Sequence, residues 1–305
     1  MLSARARARG LVVGARHICR CPSSASSGAA LHVPSLRSFS SSASEDLVRV
    51  TLPTDTSNVA MLTLNRPPVN SLSMEMCQAI SAAVKDVEDN SNVEGVVLAS
   101  SNPNILSAGL DLNELYNPDT NRLPDFWNSF QQLFIDLYGS RLATVAAIEG
   151  HAPAAGCMLA ICCDYRVMTD QKGRIGLNET LLGIAAPPWL GQAMVNTIGM
   201  RNAELSLSLG LLYSPQEALG IGLVDKVASA DAVVSNALDE AKRWANIPAQ
   251  ARVASKLLTR QEYIDRLEAM RARDNEDFCS FVTSDKVQMD LGKYLEGLKK
   301  RTKSN

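Results

Sequence analysis

The stretch Glu149-Gly150-His151-Ala152-Pro153-Ala154-Ala155-Gly156-Cys157, followed shortly by Gly176-Leu177-Asn178-Glu179-Thr180-Leu181-Leu182-Gly183, decides how this 305-residue chain is read. The first segment lies between the apolar runs Leu142 to Ile148 and Met158 to Cys163, a pattern of strand, tight turn and helix start. Such a turn directs backbone N–H groups at whatever fills the space in front of it. Ala154, Ala155 and Gly156 carry almost no side chain, so a ligand can approach that backbone closely, and the helix beginning there favours negative charge on it. A second element of this kind lies upstream, Leu106-Ser107-Ala108-Gly109-Leu110-Asp111-Leu112, after the strand-like run Gly95 to Ala99. Donors from both segments converging on one oxygen would hold an enolate, with Glu179 as a base beside it.

At these residues the chain resembles the crotonase (enoyl-CoA hydratase/isomerase) superfamily. Ser107-Ala108-Gly109-Leu110-Asp111-Leu112 is similar to the family's first oxyanion segment and Pro153-Ala154-Ala155-Gly156-Cys157 to its second. Asn178-Glu179-Thr180-Leu181-Leu182-Gly183-Ile184 follows at the family's spacing, and the resemblance runs from about Leu47 to the C-terminus. It implies an α/β crotonase (ClpP-like) spiral of ββα units over residues 45–245, with a C-terminal helical trimerisation region over 246–305. It further implies the N–H groups of Leu110 and Ala155 as the oxyanion hole. Ala108, Gly109, Leu110, Asp111, Leu112, Ala154, Gly156 and Trp189 then contact an acyl-CoA substrate, and coenzyme A is part of that substrate rather than a separate cofactor. The Pro67 to Leu72 turn belongs to the same groove, with Lys293 or Lys299 near the phosphates. The family commonly has glycine where Ala155 stands, so the methyl narrows the approach to that donor.

The chemistry of an isomerase differs from that of a hydratase at one position. Hydratases of this superfamily have a second glutamate immediately after the Gly-Cys of the second segment, and Met158 stands there. A single carboxylate suits proton shuttling between C2 and C4 of a 3-enoyl thioester better than water addition, so the isomerase reading is preferred. Hydration of a 2-enoyl-CoA and a non-catalytic acyl-CoA-binding scaffold are the alternatives. Ile175, Leu177, Leu181 and Leu182 flank Glu179 and are expected to desolvate it and raise its pKa toward neutrality. Its structural alternative is a capping-box role before an apolar run. Glu149 reads as an exposed turn carboxylate and Asp111 as a local helix cap. Trp189 reads as an acyl-pocket wall or as core filling.

Composition excludes other classes. From Met1 to Ser44 the chain has six arginines and no acidic residue, and it is rich in Ser and Ala, as a mitochondrial transit peptide is. This places the mature protein in the mitochondrial matrix. Removing those six from the 30 basic residues leaves 24 against 32 acidic ones, which disfavours nucleic acid as a partner. No run reaches the roughly 20 apolar residues of a membrane span. The seven cysteines lack paired spacing, so free thiols are expected, and with His151 the only histidine beyond the basic segment no metal site is expected. No Gly-x-Ser-x-Gly elbow accompanies His151, which disfavours a serine triad.

Element expectations follow from periodicity. Leu47 to Leu52 and Val59 to Leu64 read as paired strands, Ser73 to Val87 as a helix, Gly95 to Ala99 as a buried strand, and Leu123 to Tyr138 as an amphipathic helix. Beyond Asp225 the pattern predicts helices over Ala230 to Trp244, Pro248 to Arg260, Glu262 to Phe281 and Lys286 to Leu298.

Overall fold

The computed structural model describes residues 46–53 and 58–303; the basic segment 1–44, with its transit-peptide reading, lies outside them. Elements follow in the order β1 (Val48–Thr51), β2 (Val59–Leu64), α1 (Met74–Asp89), β3 (Gly95–Ser100), α2 (Leu123–Tyr138), β4 (Ala143–Ile148), β5 (Ala152–Pro153), α3 (Ala155–Cys162), β6 (Tyr165–Thr169) and β7 (Ile175–Gly176). A 3₁₀ turn over Glu179–Leu182 leads to α4 (Pro188–Ile198), α5 (Met200–Leu209), α6 (Pro215–Gly220), β8 (Lys226–Ala228), α7 (Val233–Ala245), α8 (Ala249–Val282) and α9 (Asp285–Lys303).

The main sheet has six strands in the order β1-β2-β3-β4-β6-β8. Only the β1–β2 pair is antiparallel; β2 through β8 run parallel. Its central strands are buried on both faces, which is why Gly95 to Ser100 and Ala143 to Ile148 read as continuous apolar runs without alternation. The odd and even positions nevertheless separate. Val97, Ala99, Val145 and Ala147 meet α7 through Ala237, Ala241 and Ala245, three small side chains four residues apart that let the helix lie close. Val96, Leu98, Ala146 and Ile148 face the opposite core with α1, α2 and α3. A second layer, the β5–β7 ladder and the Ile105–His151 and Leu72–Leu110 bridges, stacks on the carboxyl ends of β3 and β4. Both small-residue segments therefore leave the sheet at the same edge.

One expectation is corrected beyond α7. Pro248 to Arg260 and Glu262 to Phe281 form a single 34-residue helix, α8. No glycine or proline lies between Arg260 and Glu262, and the helix is tied down on both sides of that point. Its basic residues Arg252, Lys256 and Arg260 share a face at four-residue spacing. Arg252 donates to the Arg141 carbonyl at 2.8 Å and pairs with Glu94 at 3.1 Å. Lys256 Nζ donates to the Ser140 and Leu142 carbonyls at 2.9 and 2.7 Å and pairs with the buried Asp164 at 2.7 Å. Arg260 donates to the carbonyls of Tyr138 and Cys162, each at 2.9 Å, where α2 and α3 end. Truncation would leave two buried carbonyls without this donor and Asp164 with only Arg260, at 3.1 Å, and the Thr144 N–H, at 3.0 Å, so Lys256→Ala is expected to lower unfolding free energy by about 3 kcal/mol, measured by urea titration. Among the described residues no helix is long and apolar enough to cross a membrane.

Candidate active site

Ser107 Oγ donates to the Asn70 carbonyl at 2.7 Å and accepts from the Gly109 N–H at 3.2 Å, which fixes the first small-residue segment as it leaves β3. Leu72 N–H donates to the Gly109 carbonyl at 2.8 Å, and Asp111 N–H to the Leu72 carbonyl at 3.0 Å. This parallel bridge holds Leu110 between two bonded neighbours while its own N–H donates to no group among the described residues. The second segment ends differently. Ala154 donates to the Gly176 carbonyl at 2.8 Å and takes φ 51°, a left-handed conformation that costs energy for alanine. Ala155 then opens α3, and its N–H likewise has no acceptor among the described residues, as the first turn of a helix dictates. The two segments touch: a methyl built on Gly109 would lie 3.1 Å from the Ala155 nitrogen.

Both orphan N–H groups belong to residues lining one cavity of about 910 Å³. Of the residues expected at the site, Ala108, Leu110, Asp111, Leu112, Ala154, Ala155, Glu179 and Trp189 line it. Gly109 and Gly156 do not; they are packing positions. A methyl on Gly156 would meet the Ser107 carbonyl oxygen at 2.2 Å, so this glycine brings α3 against the first segment.

Glu179 stands first in the 3₁₀ turn that follows β7. Its side chain accepts no hydrogen bond from another residue among the described ones, and burial pushes its carboxyl up to about 7, opposed only by its own backbone N–H. The flanks differ from expectation at one position: Ile175 and Leu177 are buried and Leu182 lines the cavity, but Leu181 is 65 % exposed and desolvates nothing. The capping-box alternative fails too, since Asn178 at the N-cap makes no capping hydrogen bond. Instead the Asn178 Oδ1 is buried without a partner among the described residues, beside Glu179 on the cavity wall.

The two acids of the small-residue segments are occupied or distant from this role. Asp111, expected as a helix cap, does receive the Asn113 N–H at 3.0 Å, but it also pairs with Arg66 at 2.7 Å. Although burial pushes its carboxyl up, these partners hold it below the ordinary carboxylate range. Arg66 also donates to Ser71, tying the Pro67 to Leu72 turn to the first segment. Glu149 does not line the cavity, and partial burial raises its carboxyl. Met158 is wholly buried in the core, outside the cavity wall. Lys293 lines a smaller neighbouring cavity of about 550 Å³ and pairs with Asp290 at 3.8 Å, whereas the side chain of Lys299 lies outside the described residues. No cluster of metal-ligating side chains occurs among the described residues.

The rest of the wall is mostly apolar, with Gln192, Arg266, Asp274 and Asp277 among its polar members, and was visible in sequence only in outline. Trp127 and Phe130 from α2, Trp189 from α4, and Tyr263, Leu267, Met270, Phe278 and Phe281 from α8 line it. The aromatic stripe of α2 signalled Phe130. The α8 contributions come from more than 100 residues downstream, and no local pattern marks them.

Residues 54–305 match the family model described as enoyl-CoA hydratase/isomerase. A mouse relative, mitochondrial enoyl-CoA delta isomerase 1, is 45 % identical over 244 residues, covering 80 % of this chain and 84 % of that one. The Escherichia coli 2,3-dehydroadipyl-CoA hydratase is 29 % identical over 243 residues, 78 % of this chain and 92 % of that one. The crystal structure of human mitochondrial delta3-delta2-enoyl-CoA isomerase superimposes with a TM-score of 0.82 at 41 % identity, covering 84 % of this chain and 99 % of that one. With these matches, and two small-residue segments from adjacent strands meeting at one cavity beside Glu179, this chain belongs to the enoyl-CoA hydratase/isomerase family.

Proposed function

We propose that this chain is a mitochondrial Δ3,Δ2-enoyl-CoA isomerase of the matrix, converting 3-enoyl-CoA to 2-trans-enoyl-CoA in the oxidation of unsaturated fatty acids. The observation that carries the reading is one cavity holding two N–H groups, those of Leu110 and Ala155, and a carboxyl, that of Glu179, none of them paired among the described residues. The thioester oxygen accepts from both N–H groups. The Glu179 carboxylate removes a C2 proton, the negative charge that develops moves onto the held oxygen, and the same carboxylic acid returns the proton at C4. Each preorganised donor contributes typically ~10²–10³ in rate, and a positioned base ~10²–10⁴. Coenzyme A enters as part of the substrate, and the scheme needs no other cofactor. Met158, buried in α3, supplies no second acid for activating water, which favours isomerisation over hydration. A homotrimer using the C-terminal helices is the proposed assembly.

The direct test is an absorbance assay that follows the conjugated 2-enoyl thioester formed from a 3-enoyl-CoA by the protein lacking residues 1–44. Binding without conjugation would overturn the reading. The pH dependence carries a further expectation. Glu179 acts as a base only when ionised, and its carboxyl titrates at about 7. Hence kcat/KM should rise with pH, reach half its plateau near pH 7, and fall to about one tenth of the plateau one unit below.

A further inference from the structure

Besides Glu179 the cavity wall holds carboxylates that the proton shuttle does not use, Asp111, Asp274 and Asp277. Asp274, on α8, lines the cavity between aromatic side chains. Its Oδ2 accepts from Trp127 Nε1 at 2.8 Å, Gln131 Nε2 at 2.7 Å and Trp189 Nε1 at 3.3 Å. All three donors go to that one oxygen, and Oδ1 accepts from no group among the described residues. The two indoles are otherwise held by apolar contacts. Trp127 stacks on Phe278 with ring centroids 3.4 Å apart, and Trp189 tilts against Phe134 at 4.7 Å and Phe130 at 5.6 Å. Arg266 and Asp277 also line the cavity from α8, but both are exposed and pair along the helix, with Glu262 at 3.2 Å and Arg273 at 3.6 Å. Asp274 differs from them: it is an anion with an open oxygen set among aromatic side chains.

Its place along the cavity follows from the helix. Tyr263, Leu267, Met270, Asp274, Phe278 and Phe281 face the cavity at three- to four-residue spacing. Phe278 packs in the same cluster as Leu110, Leu112 and Leu182, so this part of α8 lies beside the first donor segment. At about 1.5 Å per residue, Asp274 lies about 6 Å farther along the helix axis and Met270 about 12 Å. The Arg66, Ser71 and Asp111 side of the cavity is polar and suits the pantetheine, which leaves the aromatic side for the acyl chain. A chain growing from the thioester meets the Trp127–Trp189–Asp274 node before it reaches Met270.

Up to that node each added methylene gains apolar contact. At the node a methylene must strip water from Oδ1 and offers no hydrogen bond in return, which is unfavourable. We propose that Asp274 sets the chain-length preference, making short- and medium-chain 3-enoyl thioesters the favoured substrates and penalising chains that extend past it. The proposal rests on the isomerase reading of this cavity and adds the substrate class.

The test compares Asp274→Asn and Asp274→Glu with the unaltered protein. Calorimetric binding of saturated hexanoyl-CoA and dodecanoyl-CoA comes first, then kcat/KM with 3-hexenoyl-CoA and 3-dodecenoyl-CoA. The asparagine keeps an acceptor for the indoles but removes the charge, so the dodecanoyl-to-hexanoyl affinity ratio should rise about tenfold. The glutamate pushes the charge farther into the cavity, and the ratio should fall. Indole fluorescence reports whether Trp127 and Trp189 keep their setting. If both variants weaken the two ligands equally, with a red-shifted emission and an unchanged ratio, Asp274 is scaffolding and the proposal is overturned. If the unaltered protein binds neither acyl-CoA, this proposal and the isomerase reading fall together. If the binding ratios shift as stated but nothing is conjugated, the role of Asp274 stands and the isomerase reading fails.

Discussion

Glu179→Gln should lower kcat for a 3-enoyl-CoA by about 10³-fold or more while leaving acyl-CoA affinity within a few fold, as measured by single-turnover absorbance and calorimetry. The amide matches the carboxyl in size and keeps the 3₁₀ turn, but it cannot take a proton from C2. Of the other acids that line the cavity, Asp111 is engaged by Arg66, Asp274 by three donors and Asp277 by Arg273, and the buried Met158 carries no acid. The same variant should be more stable than the unaltered protein near and above neutrality, and the size of the gain depends on pH. Burial raises the folded-state carboxyl from an ordinary 4.5 to about 7. Between those values the unfolded chain has released the proton and the folded chain still holds it, so stability falls as pH rises through that interval. Below pH 4.5 the two proteins should melt alike, and above pH 7 the glutamine variant should melt higher. Full activity in the variant would remove Glu179 from the mechanism. An equal melting advantage at all pH values would remove desolvation as the cause of its raised pKa.

How far the sequence carried the architecture can be argued from particular elements. Val59 to Leu64, Ala143 to Ile148 and Leu123 to Tyr138 were legible almost to the residue, because buried parallel strands and an aromatic-faced helix leave long apolar signals bounded by turn residues. The two small-residue segments were legible for a different reason: the close approach of backbones leaves a compositional trace in Ala108, Gly109, Ala154 and Gly156. α8 was divided into two because charged residues cover most of its surface and obscure its period, and its continuity depends on long-range ties from Arg252, Lys256 and Arg260. The exposure of Leu181 was missed because a 3₁₀ turn aims successive side chains differently from the helical pattern that its neighbours suggest. The node at Asp274 was invisible, since Trp127, Trp189 and Asp274 meet only after α8 folds back over α2 and α4. Helices α4 to α6 carried no expectation beyond Trp189, and the two-residue strands β5 and β7 are too short to leave a period.

Gly109→Ala should lower kcat by about 10²–10³-fold, the loss typical of removing a preorganised oxyanion donor. Gly109 has φ +94°, a conformation that L side chains rarely adopt, and a methyl there would lie 2.8 Å from Ala154 Cβ and 3.1 Å from the Ala155 nitrogen. Relief is hard to find. The Gly109 carbonyl is pinned by the Leu72 N–H at 2.8 Å, and the opposing Ala154 is already in a left-handed conformation with φ 51°. Either the first segment rotates, turning the Leu110 N–H away, or the second retreats and takes the Ala155 N–H with it. Both movements separate two donors that must reach one oxygen, and that oxygen carries its full charge only in the transition state. The loss should therefore appear in kcat more than in KM. Folding stability should also fall by about 1–3 kcal/mol from the backbone strain, so the assay belongs at a temperature where the variant is demonstrably folded. Gly220→Ala is the matched control, because a methyl on Gly220 at the end of α6 meets nothing within 4 Å. If Gly109→Ala turned over as fast as that control, Leu110 and Ala155 could not be the groups that hold the enolate oxygen, whatever the fate of Glu179.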